Sequence, residues 1–261
     1  MGTVFQVNHL HTGYNDSKII DDLSVSIAEG KITTIIGPNG CGKSTLLKTL
    51  GRILKKQSGD VFLQNQNLHA MSSREIAKKL AILAQSPSGP GQLKVSELVA
   101  YGRYPHRQNL GKLTKEDREK IDWALNITKT AEFADRELEA LSGGQRQRVW
   151  LAMALAQETT ILLLDEPTTY LDMAHQLEVL EIVRELNENF HCTIIMVLHD
   201  LNHAARFSHE LIAMQSGKVL YKGTPTDIMT TEVLKDVFHI NAKILNDDGV
   251  PVCFSYELIK E

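Results

Sequence analysis

Residues 31–45 join a strand to a glycine-rich loop and the loop to a helix, a succession that few folds allow. Lys31–Ile36 is a β-branched run, and Gly37-Pro38-Asn39-Gly40-Cys41-Gly42-Lys43-Ser44-Thr45 has the spacing GxxxxGK(S/T). Leu46–Leu54 then continues as a helical segment. A strand this apolar is covered on both faces, which calls for a mostly parallel sheet with helices packed against it. The glycines let backbone N–H groups converge on phosphate oxygens, and the helix aims the positive end of its dipole at the same point. Lys43 supplies a cation for the β and γ phosphates of a nucleotide such as ATP, and the Ser44 hydroxyl is a ligand for Mg²⁺.

The same alternation recurs along the chain. Ala81–Ala84, Ile161–Leu164, Thr193–Leu198 and Leu211–Met214 are further short apolar runs between helical patterns. Phe5–Leu10 and Leu23–Ile27 alternate more strictly and, with Asp60–Leu63, predict an antiparallel layer beside the main sheet. Val219–Tyr221 is expected to close a hairpin with Leu211–Met214 across the Ser216-Gly217 turn. From about residue 87 to 158 the strand signal disappears, and Ser96–Tyr101, Lys115–Leu125 and Gln145–Gln157 read as helices of an inserted subdomain, entered through Pro87, Gly89, Pro90 and Gly91. Ala174–Asn189 is amphipathic, with Leu177, Leu180 and Val183 spaced to face a core. The organisation expected is one α/β domain over residues 1–229, with the helical insertion at about 87–158, and a C-terminal extension over 230–261 packed on that core.

Two more segments carry chemistry. Ile161–Leu164 ends in Asp165 and Glu166, which alternation sends in different directions. Asp165 is assigned to the metal and Glu166 to the base that orients or deprotonates an attacking water. Two solvated acids at a strand end would look the same in isolation, and it is Lys43 that gives the pair its meaning. Leu141-Ser142-Gly143-Gly144-Gln145 precedes a helix and offers a second set of donors for an anion. It is equally readable as an ordinary Ser N-cap before a basic helix. Two half-sites in one chain suggest a composite site across a dimer.

These three motifs, in this order, resemble the ABC ATPase family over Val4 to about Met229. The resemblance implies a RecA-like, P-loop core and ATP hydrolysis, and it supplies roles that the residues alone do not. Tyr14 stands where the family stacks an aromatic on adenine. Gln85 matches the glutamine that senses Mg²⁺ and the γ-phosphate, His199 the γ-phosphate switch, and Asp172 the loop touching the partner subunit. It further implies a homodimer sandwiching two ATP molecules, each between the Lys43 loop of one copy and Ser142–Gln145 of the other. A polytopic permease would anchor that dimer at the cytoplasmic face of the membrane, and a substrate-binding protein would act indirectly. Tyr101-Gly102-Arg103-Tyr104-Pro105-His106 and Thr168–Gln176 are similar to the branch that energises uptake of iron–siderophore complexes; related branches import haem or cobalamin.

Other readings of these residues remain. Without the family, Tyr14 is a plain edge or turn aromatic, and His199 with His203 and His209 has spacing seen in metal sites, although Asp200 stands where the HExxH pattern needs its Glu. Tyr170 departs from the small polar residue many family members carry. Cys41, beside a helix N-terminus, is a candidate for an activated thiol whose alkylation blocks nucleotide binding and which ATP protects, while the plainer reading, a small residue at a variable loop position, is the stronger. A soluble ABC ATPase of cofactor assembly and a catalytically silent regulator are the competing functions; intact Lys43, Asp165, Glu166 and His199 argue against silence.

Composition narrows the partners. A net charge of −4 gives no general pull towards nucleic acid or anionic lipid, so no nucleic-acid partner is expected. Three widely spaced cysteines indicate neither a disulfide framework nor a zinc cluster and suit a reducing cytosol. The N-terminus lacks the basic start and apolar run of a secretory signal, and the longest apolar stretches fall far short of the roughly 20 residues that span a bilayer.

Overall fold

A computed structural model describes residues 2–15, 17–85, 87, 89–107 and 112–259. The chain divides into two compact units, Met1–Met71 with Thr193–Glu261, and Ser72–Cys192.

The first unit opens with β1 (Thr3–Tyr14) and β2 (Ser17–Ala28), an antiparallel pair in which inward residues such as Val7 and Val25 oppose each other. Then come β3 (Ile32–Ile36), α1 (Lys43–Leu50), β4 (Ser58–Leu63) and β5 (Gln66–Asn67). β4 pairs antiparallel with β1, which gives a sheet in the order β2-β1-β4-β5 and bears out the antiparallel layer read from the alternation. All five residues of β3 are buried, as its uninterrupted apolar and β-branched sequence demands.

The second unit holds α2 (Ser73–Lys79), β6 (Leu80–Leu83), α3 (Val95–Tyr101), α4 (Lys115–Ile127), α5 (Gly143–Ala156), β7 (Ile161–Asp165) and α6 (Met173–Phe190). β6 and β7 run parallel, with Leu80 opposite Ile161 and Leu83 opposite Leu164. α3, α4 and α5 follow the expected helical stretches to within two residues. α2 was not anticipated; it starts at a capping box in which Ser72 and Glu75 satisfy each other's amides.

The chain then returns to the first unit with β8 (Thr193–Val197), α7 (Leu201–Phe207), β9 (Glu210–Gln215) and β10 (Lys218–Gly223). β3 pairs in parallel with β8 on one side and β9 on the other, and β10 closes the expected hairpin with β9. α8 (Pro225–Ile228) and α9 (Thr231–Phe238) lead into β11 (Ile240–Asp247) and β12 (Val250–Leu258), an antiparallel hairpin absent from the sequence reading. The fold is α/β, with parallel and antiparallel sheets. Among the described residues no helix is long and apolar enough to cross a membrane.

Candidate functional site

In the first unit, β3 delivers the glycine loop. Gly37 has φ of 150° and lies so close to Met214 that an added Cβ would sit 2.1 Å from its carbonyl oxygen. Gly42, at φ 103°, is the N-cap of α1 and has no side chain with which to cap the first amides, and no acid occupies the first turn. The helix therefore starts with no side-chain cap and no acid to offset the positive end of its dipole, a setting that favours an anion. Lys43 is buried, and its ammonium donates to the carbonyls of Gly37 (2.8 Å) and Pro38 (2.9 Å), which hold the cation against the loop. Asn39 and Gly40 are exposed, Ser44 is half-buried and Thr45 buried. This cradle fits a polyphosphate: backbone donors, one positioned cation, and a hydroxyl at Ser44 suited to a hard metal ion.

At Cys41 the structure favours the plain small residue over the activated thiol. Its thiol is buried, packed where a Gly37 Cβ would come within 2.9 Å of the sulfur, and burial raises its pKa despite the Lys43 charge. Desolvation of the thiolate outweighs the helix end, so Cys41 is not the activated thiol that its position suggested.

Tyr14 ends β1 and is 44% exposed, leaving its ring open to a planar partner. His199 is exposed just beyond β8, and Asp200 caps α7 by accepting from the His203 amide (2.7 Å). His209 Nδ1 accepts from the Ile32 amide (3.1 Å), and His203 stands edge-on to Phe207, so both have local structural roles.

The second unit brings other candidates together. Asp165 is fully buried at the end of β7. Glu166 follows at φ 52°, a left-handed conformation that costs a non-glycine residue roughly 1–3 kcal/mol and is found at sites that over-determine it. One carboxylate oxygen of Glu166 accepts from the Thr169 hydroxyl (3.0 Å) and from the Gln85 side-chain amide. The expected sensor and the expected base are thus hydrogen-bonded, 81 residues apart in the chain. Thr169 had not been singled out as a site residue; its signal was only its place three residues after the base.

Ser142 accepts from the Gln145 amide (3.3 Å), and the Gln145 side chain accepts from the Ser142 amide (3.0 Å), so within one chain the capping role is real. The exposed Ser142 and Gly143 still present an open helix end. Gly144 is buried, and a Cβ there would lie 2.7 Å from the His175 ring. His175 in turn donates its amide (3.0 Å) to Asp172, the N-cap of α6, and bonds the same carboxylate through Nδ1 (2.7 Å). The His175 amide, then the ring, lower the Asp172 pKa. His175 therefore links the second cradle to the expected subunit-contact residue, while Tyr170 beside them is 89% exposed.

Sequence reasoning also missed a buried cluster. Arg103 is 2% exposed, and its guanidinium donates to Asp117 (2.9 Å), Glu158 (3.1 Å) and the Ala156 carbonyl (2.8 Å). Its neighbours Tyr101 and Tyr104 are both exposed. Arg103 thus fastens the Tyr101–His106 segment to the C-terminal end of α5.

A phosphate cradle on a parallel strand in one unit, and in the other a carboxylate held by a glutamine and a second glycine-rich helix start, are parts that a nucleotide hydrolase uses. The profile of the ABC transporter family matches residues 20–169. The chain is 57% identical to the iron(3+)-hydroxamate import ATP-binding protein FhuC of Bacillus subtilis over 96% of this chain and 94% of that one. It is 45% identical to the ferric enterobactin transport ATP-binding protein FepC of Escherichia coli, over 93% and 90%. Among solved structures, cbiO1 of Clostridium perfringens, part of the cbiONQ ABC transporter complex, superposes with a TM-score of 0.78 at 27% identity over 90% and 94% of the two chains. The ATP-binding cassette MJ0796, a dimer bound to ADP and Pi, does so with a TM-score of 0.74 at 28% identity over 84% and 98%. The chain belongs to the ABC transporter family, as an ATP-binding subunit, and is an ATPase.

Proposed function

We propose that this ATPase energises an importer of ferric siderophores. The observation that carries the reading is the run of relatives at 45–57% identity over more than nine-tenths of the chain, which includes FhuC and FepC, both named for ferric-chelate transport. In this reading two copies act as a pair, each ATP lying between the Lys43 loop of one and Ser142–Gln145 of the other, with Tyr14 against adenine. Ser44, Asp165 and Gln85 hold Mg²⁺, which supplies charge neutralisation at the phosphates when bound. Glu166 takes the proton of the attacking water, His199 contacts the γ-phosphate, and Asp172 contacts the other copy. The pair docks on a polytopic permease at the cytoplasmic face of the membrane through the exposed Tyr101 and Tyr104, with residues 87–158 acting as an insertion in the 1–229 domain.

Nucleotide is then the differential ligand: it favours the closed pair, and hydrolysis removes that preference. The Gln85–Glu166 hydrogen bond supports a direct route from the base to the segment leaving β6. Deletion of the gene is expected to abolish growth on at least one siderophore as sole iron source while leaving iron-replete growth intact. Undiminished use of every siderophore, haem and ferric citrate would contradict the proposal.

A further inference from the structure

We infer that the C-terminal hairpin is a second, nucleotide-independent contact between two copies of this chain, made by edge-to-edge pairing of β12 with the partner's β12. The inference rests on the reading that two copies work as a pair, and adds a contact that ATP does not create.

The edge of β12 is treated differently along its length. At Cys253 the outward backbone is covered: its N–H donates to Asn202 Oδ1 (2.7 Å) and its carbonyl accepts from Asn202 Nδ2 (3.2 Å), so one side-chain amide takes the place of a neighbouring strand. Past that point Phe254, Tyr256 and Leu258 are 70%, 71% and 77% exposed, and among the described residues β12 pairs with β11 alone. Natural edges are normally blunted by charge, proline or a covering element, because an apolar edge recruits another strand. β12 carries Pro251 near its start and Glu257 near its end, yet between and beyond them the three large apolar side chains stand exposed at every second position, where an added strand would cover them.

The pairing is self-complementary. The Ile259 N–H donates to the His239 carbonyl (3.5 Å). Odd-numbered residues at this end therefore turn their polar backbone groups towards β11, while Tyr256 and Leu258 turn theirs outwards. An antiparallel two-fold centred on Tyr256 sets it against the partner's Tyr256 as a hydrogen-bonded pair, with Phe254, the extra residue of the bulge, against the partner's Leu258. Ser255 then faces the partner's Glu257, and no like charges meet. A two-fold centred on Glu257 would oppose two carboxylates and turn the wrong backbone groups outwards. Such an isologous contact closes on itself and yields a dimer rather than a filament. The hairpin carries Asp247, Asp248 and Glu257 against Lys243 alone, which disfavours an anionic membrane surface as the occupant.

The full-length Tyr256→Cys chain, without nucleotide, tests this by copper–phenanthroline oxidation and non-reducing electrophoresis. The predicted Cα separation of about 5.5 Å suits a disulfide, and the native Cys41, Cys192 and Cys253 are buried. Rapid formation of a covalent dimer is expected, with Lys243→Cys, on the other strand, at least about tenfold slower. Tyr256→Asp, at a site too exposed to endanger folding, is expected to raise the dimer dissociation constant without nucleotide by at least about tenfold in sedimentation experiments, through two like charges at the two-fold. Cross-linking no faster than in Lys243→Cys, cross-linking only to the permease, or an unchanged dissociation constant in Tyr256→Asp would overturn the inference. If an ATP-dependent dimer still forms in that event, the paired-copy reading survives and the hairpin contact alone is lost.

Discussion

Glu166→Gln is expected to lower ATP turnover by about 10²–10⁴-fold, the range a general base contributes, while ATP affinity stays within a few-fold of the parent. The substitution is close to isosteric. A glutamine oxygen can accept the same Thr169 and Gln85 donors that hold the carboxylate, so the left-handed turn at residue 166 and the link to Gln85 persist. What disappears is the capacity to take a proton from water. In the proposed cycle hydrolysis releases the closed pair, so the variant should accumulate an ATP-bound dimer, read by phosphate release, nucleotide binding and size-exclusion chromatography on one preparation. Turnover at the parental rate would remove Glu166 from the role of base; a loss of binding as well would mean that Glu166 organises the cradle rather than the chemistry.

Arg103→Met should have the largest effect on stability. Removing one partner of a buried ion pair typically costs about 3–5 kcal/mol, because the other charge is left in a low dielectric. Asp117 keeps the hydrogen bonds from the Thr114 amide (3.0 Å) and hydroxyl (2.8 Å), so the lower end of that range is the expectation. Against the roughly 5–15 kcal/mol of a whole domain this is a large share. Chemical denaturation followed by circular dichroism checks it; a loss below about 1 kcal/mol would place the cluster among surface pairs.

The pH dependence has a definite sign. Burial pushes the Asp117 pKa up, but the Thr114 amide, the Arg103 guanidinium and the Thr114 hydroxyl together bring it below its ordinary value of 3.8. The native carboxylate thus binds its proton less readily than the unfolded one. Its contribution is complete above the ordinary value and is lost as the pH falls through the depressed one. The stability gap between the parent and Arg103→Met should therefore close in acid below about pH 4 and stay open at neutrality.

Much of the fold was legible because its signals are local and redundant. β3, β7 and β8 are runs of apolar or β-branched residues of strand length, and each lies within a residue or so of its predicted ends. Two elements were missed although their punctuation is present. Ser72 and Glu75 form the spacing of a capping box ahead of α2, and Asp248-Gly249, both at positive φ, make the tight turn of the β11–β12 hairpin. The alternation is there too, in Ile240, Ala242 and Ile244 and again in Phe254, Tyr256 and Leu258.

The candidate site was legible in its residue types but not in its partnerships. Nothing in the spacing says that the Gln85 amide reaches Glu166, that His175 fills the space left by Gly144, or that Arg103 is buried among Asp117 and Glu158. These contacts join residues from 14 to 81 positions apart. The choice between the two readings of Cys41 turns on a related point. Proximity to a helix end can be read from sequence, whereas burial of the sulfur depends on how closely the loop around Gly37 packs against it.

Uptake of radiolabelled ferric hydroxamate into proteoliposomes, holding this chain assembled with its co-purified permease and supplied with binding protein, tests the central claim most directly. Accumulation that requires hydrolysable ATP and disappears with Glu166→Gln is the predicted result. Undiminished accumulation with Glu166→Gln, or vigorous ATP turnover with no movement of any ferric chelate, would contradict it.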